Sequence, residues 1–270
     1  MIELAPAGTA KKSHLAFALL CLPSARRRDA LVFFRFCRAV DDLADEPGRT
    51  EAEKRRLLQA WLDAIEQRTL PAELEDVVVR HGIERNLLAE IVRGCTMDVT
   101  PARYETLADL EKYCWRVACA VGLVSIRIFG CKNPASVTYA ENLGLALQMT
   151  NILRDVGEDA ACGRIYLPLA DLRRFGLSEE KILLGQAPIG FQALMRFEAG
   201  RARARFHAAI PPRGDERALL APEIMRALYL RILSKLEKTG FPVYERRIRL
   251  GRFEKTFTAL AVCLHPRRRF

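Results

Sequence analysis

Two acidic clusters, each set inside an otherwise apolar run, constrain this chain most strongly. The first reads FCRAVDDLADE and the second reads LQMTNILRDVGED. Helical geometry brings residues four apart onto neighbouring positions of one face, so Asp41 lies one turn from Asp45, and Asp155 lies one turn from Asp159. We therefore expect two stripes of carboxylates on two amphipathic helices.

A carboxylate on an apolar helix face is costly unless a positive group meets it. The sequence places no basic residue at the matching positions of either stripe. Mg²⁺ suits such sparse sites, because it binds one or two protein carboxylates together with substrate phosphates and water. The alternative is a pair of solvated helix faces with Arg38 and Arg154 as ion-pair partners. The spacing thus predicts that the four aspartates hold Mg²⁺, or Mn²⁺, against two diphosphate groups.

Composition favours one all-α enzyme domain over residues 1–270, with residues 1–12 and 265–270 as loose termini. Half of the 270 residues are apolar, which is enough to bury one large core. Pro and Gly fall between apolar runs with helical spacing, and the alternation of a half-buried strand is nearly absent. A helical bundle with its functional site inside a central cavity is therefore the expected architecture.

Three long apolar helices are predicted within this bundle, at Ala30–Ala44, Leu110–Phe129 and Ala140–Val156. The run RARARF at 201–206 alternates like a strand, but it continues a helical pattern that starts at Phe191. We interpret it as part of a surface helix with a solvated arginine face.

The eight cysteines show no C-x-x-C spacing, and the four histidines show no metal-ligand spacing. No secretory signal is recognisable ahead of Ser13, so we expect reduced thiols and a cytoplasmic location. Free cysteines in apolar helical runs behave as small hydrophobic residues. These observations argue against both a disulfide framework and a zinc site.

The net charge of +10 is compatible with nucleic acid, an anionic membrane or an anionic substrate as partner. No nucleic-acid-binding motif is present, and no apolar stretch reaches the roughly 20 residues that span a bilayer. The C-terminal run FTALAVCLHPRRRF is favoured as a short core helix with a solvated tail, and a helix at a membrane interface is the alternative. Peripheral association with the inner face of the membrane therefore stays open.

Further motifs accompany the acidic clusters in a fixed order. SHLAFALLCLPSARRRDA precedes the first cluster, and GCTMDV follows at Gly94–Val99. YCWRVACAVG stands at Tyr113–Gly122, and the second cluster runs into GRIYLP at Gly163–Pro168. In this order and spacing, the chain from Ser13 to Thr256 resembles the squalene/phytoene synthase family.

The resemblance implies the all-α isoprenoid synthase fold and a head-to-head condensation of two prenyl diphosphates. The C-terminal run GFPVYERRIRLGRFEKT is more similar to bacterial squalene-pathway members, which implies two farnesyl diphosphates, presqualene diphosphate, and then squalene, hydroxysqualene or dehydrosqualene. A phytoene synthase that acts on two geranylgeranyl diphosphates is the alternative. The alternative from another class of protein is a basic helical scaffold that binds membrane or nucleic acid and has no catalytic activity. Use of NADPH and contact with downstream isoprenoid enzymes stay open.

The resemblance also implies roles for individual residues. Tyr113, Tyr166, Arg38 and Arg154 would act at the reacting centre. Six residues would bind the substrates: Gln148, Asn151, Val117, Val121, Ser13 and Arg164. The chain departs from the family pattern near its C-terminus, where many relatives carry a Tyr-Asp pair and this chain carries Phe241 and Pro242.

Overall fold

The structure, a computed structural model, describes residues 2–6, 18–101 and 103–264. Within these ranges the chain forms twelve α-helices, and the β-type pairing recorded there is an isolated bridge between Arg103 and Ile165. The all-α prediction is confirmed. In chain order the helices are α1 (Ser24–Asp45), α2 (Glu51–Glu66), α3 (Ala72–His81), α4 (Arg85–Met97), α5 (Leu107–Cys114), α6 (Ala120–Phe129), α7 (Ala135–Ala161), α8 (Leu169–Arg174), α9 (Glu179–Leu183), α10 (Phe191–Ala208), α11 (Leu220–Lys238) and α12 (Arg252–Leu264).

Two irregular turns belong to the same framework. A 3₁₀ turn at Leu19–Cys21 precedes α1, and a π-helical turn at Trp115–Cys119 joins α5 to α6 without a break. The three long helices predicted from the sequence lie inside α1, the α5–α6 unit and α7. The real helices extend beyond the apolar runs, because polar residues continue them at their ends.

Helix α1 buries one side, on which Phe33, Phe36, Val40 and Ala44 recur at helical spacing. The ring of Phe36 packs edge-on against Trp61 of α2, with 5.2 Å between the ring centroids. This packing fixes the rotation of α1 about its own axis. The acidic positions that follow Val40 are thereby directed away from the α1–α2 contact.

Helix α7 lies at the centre of the bundle and packs against α10, α6, α11 and the π-helical turn. It buries residues around most of its circumference, as expected of a helix that is enclosed by others. Gly144 lets α7 approach the π-helical turn closely, because a Cβ atom there would lie 2.9 Å from the Cα and the amide nitrogen of Cys119. The second acidic cluster occupies the C-terminal third of this helix.

The arginines of α10 differ from the prediction. The face was expected to be solvated, but each of the three arginines of RARARF bonds to a carboxylate, because acidic side chains of neighbouring elements lie within reach. The pairs are Arg201–Asp171 at 2.5 Å, Arg203–Glu237 at 2.9 Å and Arg205–Glu111 at 2.5 Å.

The termini are described only in part. Residues 2–6 are not loose as expected, because Ala5 is buried and its carbonyl accepts a hydrogen bond from Arg35 at 2.6 Å. Residues 7–12 and 265–270 lie outside the described residues. All eight cysteines are free. Within the described ranges, no helix is both long and apolar enough to cross a bilayer.

Candidate active site

A cavity of about 830 Å³ lies between α1, α4, the α5–α6 unit, α7, α11 and the segment that leads into α12. Its polar end is formed by Arg38, Asp41, Asp98, Asn151 and Arg154. The rest of its wall is mainly apolar and includes Phe33, Phe34, Ile91, Val117, Val121, Ile128, Phe129 and Met225. The cavity is therefore amphipathic, with charge at one end and hydrocarbon side chains along the rest.

A second cavity of about 220 Å³ adjoins the first along α6 and α7. Both cavities are lined by Val117, Val121, Gln148 and Asn151, so four of the predicted substrate-binding residues stand where the two meet. The smaller cavity is otherwise lined mostly by small and aliphatic residues. The two cavities thus form two mainly apolar compartments that meet beside Asn151.

The first acidic cluster is held by arginines. The guanidinium of Arg38 donates to Asp41 at 2.7 Å and also bonds to Asp42. Asp45 pairs with Arg164 at 2.8 Å. Burial raises the pKa of Asp41 to about 6, against the opposing effect of Arg38, and the nearby carboxylates raise it further. The ionised form of Asp41 is thus short of positive charge even with its arginine in place.

The second acidic cluster has a similar arrangement. Arg154 donates to both oxygens of Asp155, at 2.8 and 2.6 Å, and Arg247 donates to the same carboxylate at 2.8 Å. Arg247 also pairs with Glu158 at 2.9 Å. Burial raises the pKa of Asp159 to about 7, and the negative charge of Asp155 adds to this effect. Asp159 is therefore the less compensated carboxylate of this cluster.

Basic groups meet both carboxylate stripes, although the sequence places none at the matching positions of the stripes themselves. Arg38 and Arg154 reach the stripes from adjacent positions, which is the alternative arrangement. Arg164 and Arg247 come from segments that are distant from their partners in sequence. Anionic and cationic side chains are consequently collected at the same end of the large cavity.

Asp98 is a functional candidate that the sequence analysis did not single out. Its carboxylate accepts hydrogen bonds from Tyr113 at 2.9 Å and from Tyr166 at 2.6 Å. Burial raises its pKa, although both phenols and the charge of Arg164 act in the opposite direction. The rings of Tyr113 and Tyr166 are stacked with 5.2 Å between centroids, so Asp98 fixes both phenol groups at once. The one available signal was its place in GCTMDV, as an acidic residue directly after α4.

Asn151 provides a test of whether the residues fit a divalent cation. Its amide nitrogen donates to Gln148 at 3.3 Å, whereas its buried oxygen has no hydrogen-bond partner among the described residues. A buried oxygen of this kind is costly unless an ion or a donor meets it. Among the described residues, no group of three or more acidic, histidine or cysteine side chains is arranged to hold a metal ion, so a cation bound here would take further ligands from the substrate. The donor set fits an oxygen-ligated cation that completes its coordination with substrate.

The remaining predicted residues surround the cavity rather than line it. Asp159, Arg164 and Tyr166 meet around a small void beside the polar end, and Ser13 lies outside the described residues. Phe241 is buried and has a backbone φ of +56°, and it lines neither of the two cavities. The C-terminal segment instead contributes Arg247, for which the sequence offered no periodic signal.

A family model for squalene/phytoene synthase matches residues 9–254. The chain belongs to this family. It is 35% identical over 257 residues to a presqualene diphosphate synthase of Rhodopseudomonas palustris, with 92% of each chain covered. It is 32% identical over 272 residues to a phytoene synthase of Arthrospira platensis, with 91% of this chain and 86% of the relative covered.

Solved structures agree with this assignment. A crystal structure of a dehydrosqualene synthase matches with a TM-score of 0.80 and 27% identity, over 94% of this chain and 92% of that chain. A squalene synthase of Alicyclobacillus acidocaldarius matches in fold, with a TM-score of 0.73 and 24% identity over 87% of this chain and 99% of that chain. The protein is therefore a prenyltransferase of the family that joins prenyl diphosphates head to head.

Proposed function

We propose that this enzyme condenses two farnesyl diphosphates to presqualene diphosphate in a Mg²⁺-dependent reaction and converts this intermediate to a C30 product. The observation that carries the proposal is the amphipathic cavity, which joins paired acidic and basic groups at one end to apolar walls. Two presqualene diphosphate synthases, each 35% identical, support the choice of farnesyl diphosphate. After the second diphosphate leaves, the C30 product is squalene if NADPH supplies a hydride, hydroxysqualene if water captures the cation, or dehydrosqualene if a proton is lost.

The polar end suits the diphosphate groups. Asp41, Asp45, Asp155 and Asp159 would hold Mg²⁺, or Mn²⁺, and the oxygen of Asn151 is a further donor. When bound, the cation supplies Lewis-acid stabilisation of the negative charge on the leaving diphosphate. Arg38, Arg154 and Arg247 each present a planar guanidinium that matches phosphate oxygens, so they bind and orient the same group.

The apolar walls suit the reacting carbon chains. In the first step the C1–O bond of one substrate breaks, and diphosphate leaves with the electron pair. The double bond of the second substrate attacks the allylic cation, and loss of a proton closes the cyclopropane ring. Val117 and Val121 exclude water from this centre, and the phenol of Tyr113, held by Asp98, is positioned beside it. A cation formed there is therefore protected from premature capture by water.

A second candidate is a phytoene synthase that acts on geranylgeranyl diphosphate. Phytoene synthases of Arthrospira platensis and Synechococcus elongatus are 32% and 33% identical to this chain. These identities are only slightly lower than the 35% of the two presqualene diphosphate synthases. A geranylgeranyl chain is one five-carbon isoprene unit longer than a farnesyl chain, and an apolar pocket discriminates by about 1–3 kcal/mol for a single methylene. The choice between the two substrates therefore depends on small differences in cavity depth.

Parallel kinetics with the two substrates test the proposal. Each diphosphate is supplied with Mg²⁺, with and without NADPH, and the lipids are identified by mass spectrometry. We expect a higher kcat/KM for farnesyl diphosphate, with presqualene diphosphate or a C30 hydrocarbon or alcohol as product. A higher kcat/KM for geranylgeranyl diphosphate, with phytoene as product, would reject the farnesyl assignment and retain the head-to-head reaction.

A further inference from the structure

Helix α12 carries an apolar stripe that faces away from the protein. Phe253, Phe257, Leu260 and Leu264 are 92%, 66%, 54% and 66% exposed. On a helical projection these four positions fall within about 60° of one another, so they form one line along the helix. An ordinary surface helix has its polar residues in that direction.

The opposite face of α12 belongs to the protein core. Thr258, Ala259 and Val262 are buried there, and α12 packs against α11. Lys255, on the same side, lines the large cavity. The cavity and the exposed stripe thus lie on opposite sides of a single helix, which is about 10 Å thick.

Positive charge accompanies the stripe. Arg246 and Arg252 are exposed just before and at the start of α12, and neither is paired with an acidic side chain among the described residues, whereas Arg249 lines the large cavity. From residue 245 to residue 264 the chain has five arginines and lysines against two glutamates. Basic residues at one end of an apolar stripe complement a surface that is anionic at its rim and apolar beneath, as a bilayer is.

A second copy of this chain is a poorer occupant. A stable dimer needs about 800 Å² per partner, which is more than one line of four side chains supplies. A two-fold pair that set the two α12 helices parallel would also bring their arginine-rich starts together. The charge pattern therefore favours a lipid surface over self-association.

We propose that the outward stripe of α12 docks the enzyme on an anionic lipid bilayer. The phenylalanine and leucine side chains enter the interface, and the arginines at the start of α12 contact the anionic headgroups. This inference rests on the proposed function in one respect, because that function gives an apolar product. Docking holds the cavity one helix away from the bilayer into which such a product would pass.

Vesicle co-sedimentation of the full chain tests the proposal. The probes are vesicles of phosphatidylcholine mixed with phosphatidylglycerol and vesicles of phosphatidylcholine alone. The test variant carries Phe253→Ser with Phe257→Ser. The matched control carries Val79→Ser with Ile189→Ser, which removes exposed apolar side chains from α3 and from the loop before α10. Pyrophosphate release from farnesyl diphosphate without vesicles is measured in all preparations.

We expect the wild type and the control to bind mixed vesicles more tightly than neutral ones, with binding weakened by salt. The test variant should lose at least about tenfold in partition coefficient. Equal binding by the test variant and the wild type, or equal losses in both variants, would overturn the proposal. The proposal would also be overturned if the wild type bound neither kind of vesicle and formed a dimer that the test variant cannot form. An absence of pyrophosphate release in every preparation would count against the proposed function alone.

Discussion

Asp41 is the acidic residue of the first cluster that lines the large cavity, and it is the sharpest residue-scale test of the metal assignment. Asp41→Asn removes a carboxylate that would stabilise the leaving diphosphate, so we expect turnover to fall by about 10²- to 10³-fold. Its pKa is raised to about 6 by burial, so the neutral amide should not lower the thermal unfolding temperature.

The matched control for this change is Asp42→Asn. Asp42 bonds to Arg38 but does not line the cavity, so a loss of only a few-fold is expected. Steady-state pyrophosphate release at saturating Mg²⁺, together with thermal unfolding, distinguishes the two variants. Near-normal turnover in Asp41→Asn would contradict the assignment of this carboxylate.

Asp98 is predicted to position the phenols of Tyr113 and Tyr166. In Asp98→Asn the amide nitrogen cannot accept a hydrogen bond, so one of the two tyrosines loses its acceptor. A lost hydrogen bond to a charged group corresponds to about 10- to 100-fold in rate. We expect that loss in kcat with little change in KM, measured by pyrophosphate release. A normal kcat would show that the paired phenols are not held for the reaction.

Glu198 should make stability depend on pH. Burial raises its pKa from 4.5 to about 7, against the opposing effect of Arg201. The folded state therefore keeps the proton over a range in which the unfolded state has lost it, so this contribution to stability declines as pH rises from about 4.5 to 7. Glu198→Gln removes the effect. Its stability relative to wild type should increase by about 1–2 kcal/mol between pH 5 and pH 8. Urea unfolding at several pH values measures this, and a pH-independent difference would contradict it.

At the scale of elements, the contact between α7 and the π-helical turn is the most tightly constrained. An added Cβ at Gly144 meets the backbone of Cys119, which cannot rotate away, so Gly144→Ala should destabilise the fold by about 1–3 kcal/mol. Gly200 of α10 has open space around it, so Gly200→Ala should stabilise by about 0.5–1 kcal/mol. Urea unfolding of both variants is the measurement. Equal effects of the same sign would show that the approach of α7 is not close.

The helices themselves could be predicted from the sequence, because apolar spacing determines which face each helix buries. That logic located α1 and α7 and placed Asp41 and Asp155 on them. It could not locate the partners of these carboxylates, because a contact such as Arg247 to Asp155 depends on how distant segments are brought together. The same limit explains the error over the arginines of α10, whose acidic partners lie on other elements.

At the scale of the whole molecule, the helical bundle encloses a cavity that is lined by charged residues at one end and by apolar residues along the rest of its wall. Charge at the polar end and apolar walls beyond it are the two conditions that a head-to-head prenyl transfer requires. Neither acidic cluster provides them alone, because one lies on α1 and the other on α7. The central claim is therefore that both clusters act on diphosphate through a divalent cation.

The most direct test is the pyrophosphate released per condensed lipid when the wild type acts on farnesyl diphosphate with Mg²⁺, and again with excess EDTA. With Mg²⁺ we predict the release of one pyrophosphate for each presqualene diphosphate formed and two for each C30 hydrocarbon or alcohol formed. With excess EDTA we predict no release. Release that is unchanged by EDTA, or no release from either farnesyl or geranylgeranyl diphosphate with Mg²⁺, would contradict the account.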